Sequence, residues 1–480
     1  MAADKNSVIV MKFGGTSVQD SVSIKNVINI VKSFDKKKVV VVSAIAKATT
    51  ALENIARFAA DKKVSEAEQL LEEIINRHYV IIDELVKDKS LKAAAAERIT
   101  EFHRQITELI KGLSIINELS LRILDAFRVF GELMSSNCIY HAMLNEGLDV
   151  ELISSQEVIK TNNDFSRAYP NFELSQKNAD RIVKPLLEKG KIVLAQGFMG
   201  STEDGIPTTM GRESSDFSAA IYGSLTDAEE IQIWTDVDGV LTCDPNIIPG
   251  ALKLQEISFK EMEELSNFGA KVLHKNSVKP ALKKDIPIKI LNSKNTSSTG
   301  TTVSSRLSYP EVIKSVTYKK NIIVLRVKPK ESLSQFIFWE MMLNILSKHK
   351  PQIDILLSSN NALIIVIAEN AYTKIHYDEL KNEFDEISEC EIVKDKVLIT
   401  LVGSDLNSIN NFEQSIFMCN PGIKAESVIF GFNPHSFSLL VNVSECEGVL
   451  KNLHREFFEM REKGSELFEK LTKTKEKDIA

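Results

Sequence analysis

The sequence predicts an α/β protein with a mostly parallel central sheet in its first half and an α+β region in its second half. Three observations lead to this fold class. Short β-branched runs alternate with helical patterns as far as residue 291, which is typical of a parallel sheet covered by helices. A stretch rich in Ser and Thr then occupies residues 292–308. Beyond it, strands and helices recur as a weak repeat of about 75 residues.

Five strands are predicted in the first half, each a mainly apolar run that ends in a polar or glycine-rich turn. They cover residues 7–13, 38–43, 191–196, 231–235 and 287–291. A long helical region at 64–130, with apolar residues three to four positions apart, is expected to project from the sheet. Ligands of open α/β sheets bind where parallel strands end, so the site is expected in the turns that follow these strands.

The second half is predicted to contain two similar passes of a βαββ unit. Strands are expected at 322–327, 353–357, 362–367, 397–402, 427–430 and 436–443, and helices at 335–347, 409–418 and 446–456. The predicted domains are residues 1–303, a linker at 304–314, and a second region at 315–480 with units at about 315–393 and 394–470.

The composition excludes several classes of protein. With 59 Lys and Arg against 66 Asp and Glu, and no long basic run, the chain is not expected to bind nucleic acid. No stretch reaches the roughly 18 apolar residues that span a membrane, and the N-terminus lacks the apolar core of a signal peptide. We therefore expect a cytoplasmic protein with no membrane partner. Five scattered cysteines without a C-x-x-C spacing predict neither disulfides nor a metal site.

The first polar turn is Lys12–Ser17, with the sequence KFGGTS. Gly14 and Gly15 allow backbone N–H groups to approach an anion, and Lys12 supplies a positive charge. The N-terminus of a helix expected after the loop adds a favourable dipole, so this loop suits a phosphate group. Plain turn geometry is the alternative for a Gly-Gly pair after a strand. The spacing fits neither G-x-x-x-x-G-K-[ST] nor G-x-G-x-x-G, which excludes a P-loop and a Rossmann site.

Four further segments combine strand ends or helix starts with a high density of polar residues. They are Ser43–Thr50, Gly131–Glu132, Thr208–Ala220 and Trp234–Val240. Each has a simpler interpretation: Ser215 and Asp216 could cap a helix that starts at Phe217, and Asp238 could belong to a turn. Together the five segments favour one site for a phosphorylated ligand and a small polar co-substrate.

These segments also carry a family resemblance. The motifs are KFGGTSV at 12–18, SA at 43–44, GE at 131–132, TTMGRESSDFSAA at 208–220, TDVDGVLTCDP at 235–245 and FGAKVLH at 268–274. In this order they resemble the aspartate kinases, a branch of the amino-acid kinase fold. The resemblance implies a three-layer catalytic domain followed by two ACT domains, one inserted in the other. The length leaves no room for the homoserine dehydrogenase of some relatives, so we expect a monofunctional kinase.

The resemblance implies transfer of the ATP γ-phosphoryl group to the β-carboxylate of L-aspartate, with Mg²⁺ bridging the phosphate oxygens. The product is 4-phospho-L-aspartate, the first intermediate toward lysine, threonine and methionine. A carboxylate with a pKa of about 3.9 is already ionised at neutral pH, so the acceptor needs no strong base. Catalysis must therefore come from positioning two anions and neutralising charge on the transferring group.

Family correspondence also implies roles for individual residues. Catalysis is assigned to Lys12, Asp216 and Lys271. ATP binding is assigned to Lys12, Gly14, Gly15, Thr16, Thr235, Asp236 and Lys271. Aspartate binding is assigned to Arg212 on the α-carboxylate, Glu132 on the α-ammonium group, and Ser43, Thr49 and Ser215 on the remaining oxygens. Asp216 is expected to orient Lys12 or a metal-bound water.

In the second half, the resemblance implies lysine or threonine as a regulatory ligand and a homodimer or higher homo-oligomer. Asp354 is the candidate for the effector's ammonium group, and Ile337 stands where relatives have Gly. Leu241 and Asn246 replace a Tyr and an Arg that contact nucleotide in many relatives.

Two alternatives remain open. Relatives commonly have Arg-Gly-Gly-Ser-Asp where this chain has RESSD at 212–216, which would suit a catalytically impaired amino-acid sensor. Retention of the charged site residues argues against that interpretation. A kinase of the same fold acting on glutamate or acetylglutamate is the other alternative, and the GE and TTMGRESSD motifs disfavour it.

Overall fold

The computed structural model divides the chain into two compact units. It describes residues 7–211, 214–270, 272–273, 276–308, 313–330, 334–349, 351, 353–359, 362–368, 377–431, 433–460 and 468–469. The first unit contains Met1–Val240, Gln255–Phe259 and Val272–Leu307, and the second contains Leu241–Leu254, Lys260–Lys271 and Ser308–Ala480. The predicted domain boundaries at 303 and 315 stay a prediction. Two short segments that precede them, Leu241–Leu254 and Lys260–Lys271, group with the second unit.

The strands and helices are numbered in chain order. The strands are β1 Val8–Phe13, β2 Lys37–Val42, β3 Val150–Leu152, β4 Ile192–Gln196, β5 Met199–Ser201, β6 Pro207–Thr209, β7 Glu230–Thr235, β8 Lys253–Leu254, β9 Glu256–Ser258, β10 Ile288–Asn292, β11 Thr301–Ser304, β12 Ile313–Pro329, β13 Ile353–Ser359, β14 Ala362–Ala368, β15 Ser388–Gly403, β16 Ser427–Ile429, β17 Ser436–Asn442 and β18 Phe468–Glu469. The helices are α1 Ser21–Lys32, α2 Ala48–Ala60, α3 Val64–Leu85, α4 Lys89–Ile116, α5 Leu121–Asn145, α6 Ser155–Val158, α7 Phe172–Glu188, α8 Ser215–Leu225, α9 Phe259–Asn267, α10 Val278–Lys284, α11 Gln335–His349, α12 Tyr377–Ile387, α13 Phe412–Cys419 and α14 Cys446–His454. Short 3-10 turns lie at Leu406–Ser408 and Val443–Glu445, and a π-helical turn at Arg455–Glu459.

An eight-stranded sheet forms the centre of the first unit, in the order β3-β4-β2-β1-β7-β10-β11-β9. Neighbouring strands are parallel except for β10 and β11. This confirms the predicted mostly parallel sheet, and all five predicted strands occur within one residue of their expected bounds. The inner strands are buried on both faces, which explains why they read as continuous apolar runs rather than alternating ones.

The helical region predicted at 64–130 consists of α3, α4 and the start of α5, which pack together with α2, a helix outside the predicted region. Its apolar side chains belong to the same core as β1 and β2, with Leu71, Ile99 and Phe127 almost fully buried. Helix α5 continues to Asn145 and is buried on most of its surface. A helix that is buried all round shows little amphipathic pattern. This burial places the GE pair at 131–132 inside the unit.

The second unit is built on a six-stranded antiparallel sheet, in the order β13-β14-β12-β15-β17-β16. Strands β12 and β15 are long and serve two separate cores. The half of β12 after Ile322 packs with α11 and α12, whereas Ile313 and Val316 pack with α13 and α14. The start of β12 therefore packs with the last two helices of the unit, α13 and α14. The part of the chain that contains α11 and α12 lies between them in sequence, which is the arrangement expected for one ACT unit inserted in another. The consecutive ranges 315–393 and 394–470 stay a prediction.

Three features of this unit differ from the sequence prediction. Strand β12 begins at Ile313 rather than at 322, because its first part pairs with β15. Helix α12 was not predicted, because YDELKNEFDEI is dominated by charged residues. Strand β15 begins at Ser388 rather than at 397, since its first half pairs with β12. Among the residues that the structure describes, no helix is long and apolar enough to cross a membrane.

Candidate active site

The turns after several parallel strands meet at one edge of the eight-stranded sheet. The last residues of β1, β2, β4 and β7 are in register, with Phe13 opposite both Val42 and Trp234, and Val42 opposite Gln196. The polar segments that follow these strands therefore lie side by side. This is the edge at which open α/β sheets bind ligands.

A buried ion pair occupies the centre of this edge. Lys12, on β1, is only 8% exposed, and its Nζ lies 2.6 Å from Oδ1 of Asp216 in the first turn of α8. Burying a lone charge is costly, so the carboxylate balances the ammonium group and holds it in place. A side chain at Gly14 would begin 3.4 Å from the same Nζ. Because Gly14 has no side chain, the space beside the Lys12 ammonium group stays open.

The glycine loop is engaged more closely with its neighbours than its sequence suggests. The Gly14 N–H donates to the Trp234 carbonyl at 3.2 Å, so this amide is already used. A Cβ on Gly15 would lie 3.0 Å from the Ala44 carbonyl oxygen, which explains the second glycine. Thr16 is half-buried in the same turn. Of the two amides expected to meet phosphate, only that of Gly15 is outside the backbone hydrogen bonds of the described residues.

The helix after this loop is not placed as expected. Helix α1 begins only at Ser21, and the Asp20 carboxylate caps it by accepting from the Ser23 N–H at 2.8 Å. Its N-terminus therefore already carries a negative charge. The expectation that this helix dipole assists the loop is wrong, because the turn at 14–17 separates the two.

Glu132 is a second buried ionisable side chain at the same edge. It is 3% exposed, and its Oε1 accepts from the Ala44 N–H at 3.2 Å. Its Oε2 is buried without a hydrogen-bond partner among the residues that the structure describes. Burial raises the pKa of this carboxyl group to about 8. Gly131 allows this approach, since a Cβ there would lie 2.9 Å from the Ala44 Cβ.

Three hydroxyl residues surround these charges. Ser43 follows β2 directly, and its N–H donates to the Phe13 carbonyl at 3.2 Å. Thr49 lies in the first turn of α2, where its Oγ1 is 3.7 Å from the position that a Gly131 Cβ would take. Ser215 opens α8 next to Asp216, with its Oγ 2.8 Å from the position of a Gly197 Cβ. Thr49 thus lies beside Gly131, Ser215 lies beside the Asp216 that pairs with Lys12, and Ser43 lies between the ends of β1 and β2.

The interpretation of Ser215 and Asp216 as helix caps does not hold. Helix α8 begins at Ser215 with Ser214 in the cap position, and no side chain caps it. Ser214 has a φ of −81°, so this position takes an ordinary backbone angle without the glycine of relatives. Arg212 and Lys271, expected on the aspartate and phosphate respectively, lie outside the described residues.

Thr235 and Asp236 end β7 beside β10. The Thr235 carbonyl accepts from the Ser293 N–H at 2.8 Å and from its Oγ at 3.0 Å, which ties the two strand ends together. Asp236 is exposed and accepts from the Thr235 hydroxyl at 3.3 Å. Ser293 also bonds Ser17 of the glycine loop at 2.8 Å. Both expected adenosine-side residues therefore border the loop that carries Lys12.

The sequence motifs do not include a cluster of three largely buried charged residues near the site. Asp125 and Arg128 precede Glu132 on α5 by seven and four residues, and Glu53 follows Thr49 on α2 by four. Positions three, four and seven apart share one helix face. That spacing is the signal that could have identified them.

Comparison with known proteins agrees with this geometry. The model of the amino acid kinase family matches residues 7–292. Aspartokinase 2 of Arabidopsis thaliana, a chloroplastic protein, is 30% identical over 474 residues, which cover 95% of this chain and 85% of that protein. The lysine-sensitive aspartokinase 3 of Escherichia coli is 28% identical over 458 residues, covering 95% of this chain and 100% of the relative.

The fold comparison gives the same result. The crystal structure of E. coli aspartokinase III in complex with aspartate and ADP has a TM-score of 0.84 at 27% identity, and the match covers 94% of this chain and 100% of that one. The chain therefore belongs to the amino acid kinase family and, within it, to the aspartokinases.

Proposed function

We propose that this chain transfers the γ-phosphoryl group of ATP to the β-carboxylate of L-aspartate and forms 4-phospho-L-aspartate. The observation that carries the proposal is the arrangement of Glu132 and Lys12 at one sheet edge. A buried carboxylate with an unsatisfied oxygen suits the ammonium group of an amino acid. A buried ammonium beside a glycine loop suits phosphate oxygens.

On the nucleotide side, Lys12 faces the β- and γ-phosphates, with the Gly15 amide beside it and Thr16 in the same turn. Asp216 keeps Lys12 in place through their 2.6 Å contact. Lys271 reaches the phosphates from the other side by family correspondence. Thr235 and Asp236 border the adenosine.

Mg²⁺ fits this site as a companion of ATP rather than as a resident of the protein. Among the described residues, no cluster of three or more His, Cys, Asp or Glu could hold a metal ion. Mg²⁺ commonly keeps several waters and binds through substrate phosphates plus one or two carboxylates. Asp216, which contacts Lys12, and Asp236, which follows β7, are the carboxylates that would hold the ion, and it would reduce charge repulsion between the two substrates.

On the acceptor side, Glu132 receives the α-ammonium group of aspartate. Arg212 holds the α-carboxylate by family correspondence, since a guanidinium can form two parallel hydrogen bonds to it. Ser43, Thr49 and Ser215 donate to the remaining oxygens. These contacts select an amino acid with a free ammonium group.

The chemical step then needs alignment more than proton transfer. An oxygen of the ionised β-carboxylate forms a bond to the γ-phosphorus, and the bond from that phosphorus to the bridging oxygen breaks. ADP leaves with the electron pair, so no proton has to move. Lys12 stabilises the charge that accumulates on the transferring group and the leaving oxygen.

Regulation belongs to the second unit in this proposal. Lysine or threonine binds there, and the chain works in the cytoplasm as a homodimer or larger homo-oligomer. Asp354 supports an ammonium site: its Oδ1 is 2.7 Å from Lys319 Nζ, and its buried Oδ2 has no partner among the described residues. The side chain of Ile337, which stands where relatives have Gly, is 50% exposed on α11.

A coupled assay of ATP consumption with L-aspartate, L-glutamate and N-acetylglutamate in parallel tests the activity. We expect turnover with aspartate in the presence of Mg²⁺, and an acyl phosphate that hydroxylamine traps. Equal or faster turnover with glutamate or acetylglutamate would assign the chain to another carboxylate acceptor. No turnover with any of them, together with lysine or threonine binding, would favour an amino-acid sensor.

A further inference from the structure

Asp125 occupies an unusual position for a charged residue, because it is completely buried on α5. Its carboxylate accepts hydrogen bonds from two separate segments of the first unit. Oδ2 accepts from the N–H groups of Ser166 at 2.7 Å and Thr209 at 2.9 Å. Oδ1 accepts from the hydroxyl groups of the same two residues, at 2.9 Å and 2.6 Å. Asp125 thus links two loops at both backbone and side-chain level.

Arg128 completes the cluster one turn further along α5. Its Nη1 donates to Ser166 Oγ at 2.7 Å and lies 3.4 Å from Asp125 Oδ1. Its Nη2 lies 2.8 Å from Oε1 of Glu53 on α2. Arg128 therefore faces two largely buried acidic side chains and offsets one of their two formal negative charges. The hydrogen bonds from Ser166 and Thr209 stabilise the Asp125 carboxylate in addition.

Besides the Ser166 turn, the cluster joins three elements that carry or lead to proposed aspartate ligands, whereas Ser43 after β2 lies outside it. Helix α2 carries Thr49 four residues before Glu53, and α5 carries Glu132 seven residues after Asp125. Thr209 ends β6, immediately before the segment that leads through Gly211 to Ser215. The glycine loop and the end of β7, proposed for ATP, do not contribute to the cluster.

The Ser166 backbone shows that the cluster imposes a conformation. Ser166 has a φ of +66°, in the left-handed region that non-glycine residues rarely adopt. Its N–H and hydroxyl groups are both bound to Asp125, and the Ala168 N–H donates to the Thr209 carbonyl at 3.0 Å. The cluster thus holds this turn against the start of the 210–215 segment.

We propose that Asp125, with Arg128 and Glu53, is a positioning residue for the acceptor half of the site. It sets where the 210–215 segment begins relative to Glu132 and Thr49, and so controls aspartate binding without touching the substrate. This inference rests on the proposed function. It assigns a role to residues that contact neither substrate.

The test compares full-length variants by steady-state kinetics, varying aspartate and ATP separately. Asp125→Asn keeps the shape but turns an NH₂ group toward hydrogen-bond donors, so one pair of bonds is lost. Thr209→Val is milder, because it removes one hydroxyl and keeps the backbone bond. We expect the KM for aspartate to rise about 10–100-fold in Asp125→Asn and less in Thr209→Val, with the KM for ATP unchanged.

A matched control separates positioning from a general loss of stability. Asn137 is also buried on α5 but donates to the Ala95 carbonyl at 3.0 Å, away from the cluster. Asn137→Ala should lower the melting temperature and leave both KM values as they are. If Asp125→Asn does not fold, Thr209→Val against this control decides the question.

The outcomes distinguish this inference from the proposed function. A wild-type chain that does not phosphorylate aspartate overturns both. Turnover by the wild type, combined with an unchanged aspartate KM in the variants, overturns only the positioning role. Equal rises in both KM values, or a rise in Asn137→Ala as large as in the cluster variants, would also overturn it.

Discussion

The residues with the clearest roles are charged side chains that the fold buries. Lys12 and Glu132 are 8% and 3% exposed, and they reach the same sheet edge from near the end of β1 and from the middle of α5. Their types and neighbouring glycines were readable from the sequence. Their burial was not, because it depends on how α5 and α8 pack against the strand ends.

The first prediction concerns Lys12. Lys12→Ala should lower kcat by about 10²–10³-fold while changing aspartate affinity far less, because its charge acts mainly on the transferring phosphoryl group. Steady-state kinetics and calorimetric titration with aspartate measure the two effects. A kcat within a few-fold of the wild type would remove Lys12 from the mechanism.

The second prediction follows from the raised pKa of Glu132. A folded-state pKa of about 8, above the ordinary 4.5, means that the folded chain holds a proton that the unfolded chain releases. The stabilising contribution of this group is therefore complete below the unfolded pKa and is lost as the pH rises through the folded one. Compared with Glu132→Gln, the wild type should lose unfolding free energy between about pH 5 and pH 8.

Aspartate binding should also report the protonation of Glu132. An ammonium ligand favours ionised Glu132, so binding below about pH 8 should release a proton. Calorimetry in buffers of different ionisation enthalpy measures this release. Parallel stability curves for the wild type and Glu132→Gln, together with no proton release, would contradict the raised pKa.

At the scale of elements, the sequence predicted the parallel strands well and the long antiparallel ones poorly. The five predicted strands of the first sheet are short, mainly buried runs that each end in a turn, so their signal is local. Strands β3, β9 and β11 are shorter and only partly buried, and they were not predicted. Strands β12 and β15 pair with each other from end to end, well beyond the residues 322–327 and 397–402 expected of them. Such pairing between distant segments leaves little trace in the local pattern.

The third prediction concerns the close approach of α5 to the loop after β2. Gly131→Ala places a Cβ 2.9 Å from that of Ala44, so the helix or the loop must shift. We expect a higher KM for aspartate and a lower melting temperature. Gly112→Ala in α4 is the matched control, since nothing lies within 4 Å of its Cβ. This helix substitution should stabilise the chain by about 0.5–1 kcal/mol. Equal behaviour of the two variants would argue against a tight contact at Gly131.

At the scale of the whole molecule, the two compact units do not divide at a single point in the chain. The segment Leu241–Leu254 groups with the second unit although it directly follows the β7 loop. Cys243, Ile248 and Ala251 belong to the same core as Ile313 and Val316. The Thr242 carbonyl also accepts from the Val316 N–H at 2.8 Å.

The fourth prediction is that a chain ended at residue 308 will be poorly stable. Removal of the second sheet would expose the apolar side chains of this segment to water. Thermal unfolding and binding of a hydrophobic dye, compared with the full chain, measure the effect. A cooperative transition at the full chain's melting temperature would show that the first unit does not depend on this packing.

The fifth prediction concerns the proposed effector. If lysine or threonine inhibits the full chain, Asp354→Ala should abolish inhibition and leave the basal turnover unchanged, since Asp354 lies in the second unit. A typical coupling is about 1–3 kcal/mol between effector and substrate. Titration with each amino acid at millimolar concentration measures binding directly. If neither binds, the second unit serves in assembly rather than in feedback.

The sequence by itself determined the fold class, five strands of the first sheet and the loops in which the candidate site lies. These features arise from local patterns: apolar periodicity, turn residues and short motifs at strand ends. Only the tertiary structure decided that the Gly14 amide is already bonded to Trp234, that α1 begins too late to assist the loop, and that Asp125 joins three elements. Those facts depend on contacts between residues far apart in the chain, and burial and hydrogen-bond geometry exist only once these residues have packed together.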